Sequence, residues 1–141
     1  MPARGILIDS GPLVAILNER DQYHNACRDE AKQLHGEFCT SWPVITEAAH
    51  LLKFRPTAVQ TLLAWVRTTE LQILPLAPQE TDRIATILRD YSDQGFDFAD
   101  ATLMYLAERE TMSTIFTIDR RHFSVFRTKT NQPLNIVPAA I

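Results

Sequence analysis

What most constrains this chain is the alternation of short apolar runs with stretches of helical periodicity. The runs are "GILID" (5–9), "EFCTS" (37–41), "LQILPLA" (71–77), "STIFTID" (113–119) and "LNIVP" (134–138). Between them, "SGPLVAIL" carries Pro12, suited to a first helical turn, and "DQYHNACRDEAKQLHG" is amphipathic and stops at Gly36. "PVITEAAHLLKF" starts a helix near Pro43, and "PTAVQTLLAWVRTT" makes another over 56–69. In "QETDRIATILRDY", Ile84, Ile87, Leu88 and Tyr91 fall on one helical face. Strands alternating with helices predict an α/β fold whose parallel sheet has helices on both faces. With 141 residues, 45% of them hydrophobic, the expectation is one compact domain over 1–141, without repeat or linker.

In such sheets ligands gather outside the carboxyl ends of the strands, where the strand order reverses. Two runs end alike at that edge, "ILID" at Asp9 and "IFTID" at Asp119. A helix following a parallel strand starts at the same edge, which brings Glu47 within reach from the helix after the second run. Asp100 is the sole charge in an otherwise apolar stretch from Phe98 to Ala107. A stretch apolar on most faces is a buried helix, and a buried carboxylate needs a partner. Asp97 stands just before it as an N-cap, which puts Asp100 near the third helical position, where the helix dipole favours a negative charge. Four carboxylates brought together repel one another unless a cation sits among them. The sequence thus predicts that Asp100 is balanced by a metal ion shared with Asp9, Glu47 and Asp119. A carboxylate set without paired imidazoles or thiolates suits Mg2+ or Mn2+ better than zinc.

The net charge of −3 excludes a simple electrostatic nucleic-acid binder, while leaving room for a local basic lip. From Arg120 to Gln132 the chain carries Arg120, Arg121, Arg127 and Lys129 and no acid. Because this segment follows Asp119, the four cations are expected beside the acids, where they would contact phosphate. Phe123 and Phe126 are read as core anchors rather than base-stacking platforms. Cys27 and Cys39 form no CxxC pair, so reduced core thiols in a cytoplasmic protein are expected. The apolar runs are too short to cross a membrane, and no secretory pattern opens the chain.

These pieces, taken in order, resemble the PIN-domain ribonucleases, in particular the VapC-type toxins of toxin–antitoxin pairs. The resemblance rests on "LIDSGPLVAIL" with Asp9, "TEAAHLL" with Glu47, "DFADATLMYLAE" with Asp100 and "TIFTIDRRHF" with Asp119. It implies a five-stranded parallel sheet in the order 3-2-1-4-5 and Mg2+- or Mn2+-dependent cleavage of RNA. It also implies a cognate antitoxin protein and a homodimer as partners. The family often has Ser or Thr after the first aspartate, where Ser10 stands, and Thr117 would point the same way as Asp119 from a strand. Both are expected in supporting roles. The "RTKTNQP" stretch between Arg127 and Pro133 is longer and more polar than a minimal family member needs.

Other constellations have plainer explanations. Glu47 and His50 make an ExxH pair, but a di-iron bundle needs two such pairs on four long helices. His24 resembles a position near the start of the second helix where many toxins of this type carry His, and a helix-start hydrogen bond explains it as well as catalysis does. A haloacid-dehalogenase-like phosphatase would need a second acid at the position of Gly11. A receiver domain would need an aspartate in "LQILPLA". A PIN fold that grips RNA or protein without cutting remains the alternative from another class. In "AAHLLKFRPTAVQTLLAWV" the cluster of Leu62, Leu63, Trp65 and Val66 is expected to serve the core and, where exposed, association.

Overall fold

A computed structural model describes residues 5–140. Its strands are β1 (Gly5–Ile8), β2 (Glu37–Thr40), β3 (Leu71–Ile73), β4 (Thr114–Phe116) and β5 (Asn135–Val137). They form one parallel sheet in the order β3-β2-β1-β4-β5, as expected. The helices are α1 (Ser10–Leu17), α2 (His24–Gln33), α3 (Trp42–Leu51), α4 (Pro56–Arg67), α5 (Thr81–Asp90), α6 (Phe98–Glu110) and α7 (Arg120–Val125). All four residues of β1 are buried, which a central strand covered on both faces requires. Right-handed crossovers put the helices joining β1 to β2 and β2 to β3 on one face, and α7, joining β4 to β5, on the other.

Each strand is shorter than the apolar run that encodes it. In the third run, the Leu74 N–H still donates to the Thr40 carbonyl at 2.9 Å, and Pro75 then ends the pairing. In the first and fourth runs, the closing residues leave the sheet to start helices. Asp9 and Asp119 are the N-caps of α1 and α7. The helix α7 is absent from the expectations drawn from the sequence, because six residues are too few for a hydrophobic period.

α6 is the buried helix anticipated from its composition, with eight of its thirteen residues buried. Two ion pairs fasten its far end to α5 and the turn before it. Arg83 Nη2 lies 2.6 Å from Glu108 Oε1, and Arg109 Nη1 lies 2.7 Å from Glu80 Oε2. The near end of α6 follows Gly95, whose φ of +76° lies in the left-handed region that favours glycine. The helix axis is therefore fixed at both ends, with Asp100 one turn from its start. His24 does lie at a helix start, its Nδ1 2.7 Å from the Ala15 carbonyl, tying α2 to α1. Cys27 and Cys39 are buried free thiols, which burial pushes up to about 11. Among the described residues no helix is long and apolar enough to cross a membrane.

Candidate active site

Strand order reverses between β1 and β4, and each strand delivers an aspartate one to three residues past its end. Asp9 is buried, and both of its oxygens are engaged. The Ser10 N–H donates to Oδ1 at 2.8 Å, and the Thr117 hydroxyl donates to Oδ2 at 2.9 Å. Thr117 Oγ1 in turn accepts the Asp119 N–H at 2.9 Å, so one hydroxyl fixes the spacing of both strand-end acids. Ser10 performs a similar service toward α3. Its hydroxyl donates to Glu47 Oε1 at 2.7 Å, drawing that carboxylate over the start of α1. Ser10 and Thr117 therefore both hold acids in place.

Asp100 enters from α6. Its N–H donates to Asp97 Oδ1 at 2.8 Å, while its own Oδ2 stands 3.3 Å from the Asp97 N–H, a reciprocal cap of the helix start. Asp97 is exposed and plays the capping part alone. Asp100 is buried and belongs to a second group as well. Ligand-capable atoms of Asp100, Asp119 and His122 all lie within 4.8 Å of one another. His122 Nδ1 is 2.8 Å from Asp119 Oδ2 and 3.2 Å from Asp100 Oδ2.

The electrostatics follow from this crowding. Burial, then the charges of Glu47 and Asp119, push the Asp9 carboxyl from 3.8 up to about 6, against the lowering hydrogen bonds from Ser10 and Thr117. Asp100 is raised further, first by burial and then by the charges on Asp9 and Asp97. Four carboxylates thus meet at one edge, and two of them are held where ionisation is costly. Oxygen donors of this kind, with one imidazole among them, fit a divalent cation. Its positive charge would offset both penalties at once.

The imidazole is the component that the sequence reading left out. Its signal was present: a residue three past a helix N-cap shares the cap's face, and His122 stands so to Asp119. It was missed because α7 itself was not foreseen. Expected cations also separate. Arg120 and Arg121 are exposed at the start of α7, on the acidic edge, with Arg120 Nη1 donating to the Pro138 carbonyl at 2.7 Å. Lys129, expected beside the acids, is instead carried to the other end of α6, where its backbone N–H donates to Glu108 Oε1 at 3.0 Å. Chain proximity to Asp119 misled there, because α7 leads the chain away from that edge. Arg127 spends its guanidinium on the Ser124 and Phe126 carbonyls, both at 2.8 Å, closing the end of α7. Phe123 and Phe126 are fully buried, as core anchors should be, and His50 is exposed.

Gly11 has a reason beyond chemistry. A Cβ there would come within 2.6 Å of Ile118 Cγ1, so this backbone has no room for the second acid of a DxD phosphatase.

Comparison with known proteins agrees with this fold. A family model described as PIN domain matches residues 6–128. The chain is 29% identical over 136 residues to "Ribonuclease VapC26" of Mycobacterium tuberculosis (strain ATCC 25618 / H37Rv), covering 94% of this chain and 100% of that protein. Among solved structures, Mycobacterium tuberculosis VapC20, described as a sarcin-ricin loop cleaving toxin, superposes with a TM-score of 0.76. That match covers 82% of this chain and 90% of the other at 18% identity, a likeness of fold.

Proposed function

This chain belongs to the PIN-domain family, and on that premise we propose that it is a divalent-metal-dependent endoribonuclease, the toxin of a toxin–antitoxin pair. The observation that carries the reading is the meeting of Asp9, Glu47, Asp100 and Asp119 at the reversal point of the sheet, with Asp9 and Asp100 raised by burial. Asp9, Glu47, Asp100 and Asp119 would hold Mg2+ or Mn2+ among them. When bound, such an ion makes water more acidic and offsets charge on a phosphodiester undergoing in-line attack.

The chain's own residues set the rest. Ser10 and Thr117 orient Glu47 and Asp9, and so decide which carboxylate oxygens stay available. Arg120 and Arg121, exposed at the start of α7, would meet the backbone phosphates flanking the cut. Arg127 and Lys129 stand outside that role. The names of the two relatives support RNA as the substrate and toxin as the biological class. We take the PIN domain to extend over the whole of 1–141. Exposed Leu51, Phe54 and Leu63 on and between α3 and α4 support an antitoxin helix or a homodimer as the partner, whereas Leu62 of that cluster is wholly core.

The test is cleavage of a mixed RNA pool, sarcin-ricin loop RNA included, by purified protein in Mn2+ or Mg2+ with a chelator control. Cutting that requires the metal and is lost in Asp119→Asn supports the proposal. Tight RNA binding without cutting under every metal condition would replace it by a silent binding module.

A further inference from the structure

We infer that His122 Nδ1 is a ligand of the same divalent ion as Asp100 and Asp119, so that this carboxylate site is a mixed oxygen–nitrogen site. The inference rests on the metal-dependent reading above and specifies its ligand set. Nδ1 lies 2.8 Å from one carboxylate oxygen and 3.2 Å from the other. Neighbouring ligands around a six-coordinate ion with bonds near 2.1 Å stand about 3.0 Å apart, the diagonal of two such bonds at right angles. The imidazole nitrogen therefore already stands at the spacing of an adjacent donor from each carboxylate, and all three donor atoms lie within 4.8 Å of one another.

The nitrogen also lacks another occupation. Among the described residues, it is a buried side-chain atom with no aligned hydrogen-bond partner, despite its closeness to both carboxylates. Short distance without alignment is poor hydrogen bonding. It is what a set of donors facing a common point looks like.

The imidazole is positioned rather than merely adjacent. The His122 backbone N–H donates to Asp119 Oδ1 at 3.2 Å, locking the first turn of α7. That bond leaves Asp119 Oδ2, the oxygen nearer the imidazole, for the cluster. Phe96 abuts the imidazole in an edge-on arrangement, with centroids 5.4 Å apart and planes at 68°. Phe96 is itself stacked on Tyr91 at 5.2 Å, so an aromatic wall backs the ring. A ring held by its own backbone turn and by that wall has little rotamer freedom to lose on binding a metal.

One rival account uses the same distances. In it, the imidazole itself is the acid pair's partner and stands where the metal would go. The two accounts differ in sign: a ligand strengthens metal binding, whereas an occupant competes with it. They also differ in selectivity. Nitrogen donors favour first-row transition ions over Mg2+, so His122 as ligand tilts the site toward Mn2+.

Pulsed electron paramagnetic resonance of the full chain loaded with Mn2+ reads this directly. Directly bound imidazole gives a nitrogen coupling on the Mn2+ signal, with histidine isotope labelling to assign it. We expect that coupling in the unaltered protein and its loss in His122→Gln. In calorimetric titrations, His122→Gln should weaken Mn2+ binding by about tenfold or more, with a smaller change for Mg2+. The measurement on the unaltered protein stands even if the variant folds poorly. Bound Mn2+ without nitrogen coupling overturns the inference, as does a folded His122→Gln that binds Mn2+ equally well or more tightly. Failure of the protein to bind Mn2+ at all would instead bring down the metal-dependent reading and this inference together.

Discussion

Without divalent ions, this protein should lose stability as the pH rises, over a window set by its buried acids. Asp9 goes from an ordinary value of 3.8 to about 6 on folding, chiefly through burial. A carboxyl raised in this way binds its proton more tightly in the folded than in the unfolded chain. Its stabilising effect is fully present below 3.8 and is lost as the pH climbs through about 6. The rise from 3.8 to about 6 corresponds to about 3 kcal/mol, at roughly 1.4 kcal/mol per pH unit. Asp100, raised by burial and by the charges of Asp9 and Asp97, acts in the same sense and extends the loss to higher pH. Glu80 works oppositely, held down to about 2 by Tyr105, the Ala77 N–H and Arg109. Its contribution is present above 4.5 and fades only as the pH falls toward 2, so it leaves the rise from 5 to 7 unaffected. Urea unfolding in chelator at about pH 5, 6 and 7 reads the effect. Between pH 5 and 7 the Asp9 share of the loss is about 1.3 kcal/mol, which at a slope of about 1–3 kcal/mol per molar urea lowers the midpoint by about 0.4–1.3 M, and Asp100 adds to it. Mn2+ at about one hundred times its dissociation constant should restore about 2.7 kcal/mol at the upper pH. A stability that is flat or rising from pH 5 to 7 in chelator would refute the reasoning.

Asp100→Asn should abolish metal-dependent cleavage while raising metal-free stability near neutral pH by about 1–2 kcal/mol, since folding then no longer requires the buried, raised Asp100 carboxyl to take up a proton at that pH. Parallel activity and urea measurements check both halves. Gly11→Ala should destabilise the protein by about 1–3 kcal/mol, because the added methyl meets Ile118 Cγ1 at 2.6 Å, and thermal unfolding would show it. Arg121→Ala should weaken RNA binding and reduce its salt dependence by about one charge, whereas Lys129→Ala at the far end of α6 should change neither. Filter binding across a salt series separates the two.

The parts of the fold legible in the sequence are those with a periodic signal. Runs such as "GILID" and "STIFTID" gave the strands, and the apolar stretch after Asp97 gave α6, because burial on all faces leaves its mark in composition. The strand-end acids were legible through topology: a carboxylate that closes a parallel strand must lie at the carboxyl edge. Strand ends were read too long, because Asp9 and Asp119 belong chemically to their runs but structurally to the helices they cap. α7 was too short to have a period, and two consequences followed from missing it. His122, close in sequence to Asp119, was not assigned to the acid set although it stands one turn past that residue, and Lys129 was placed at the site although α7 leads the chain away from it.

The central claim is that these acids cut RNA by way of a metal-activated water. Its most direct test is the chemistry of the cut ends, on a substrate whose scissile nucleotide carries hydrogen in place of the 2′-hydroxyl. The account predicts that cleavage in Mn2+ persists, allowing for some loss of binding, and leaves a 5′-phosphate and a 3′-hydroxyl. A 2′,3′-cyclic phosphate formed from ordinary RNA in the presence of chelator would contradict it.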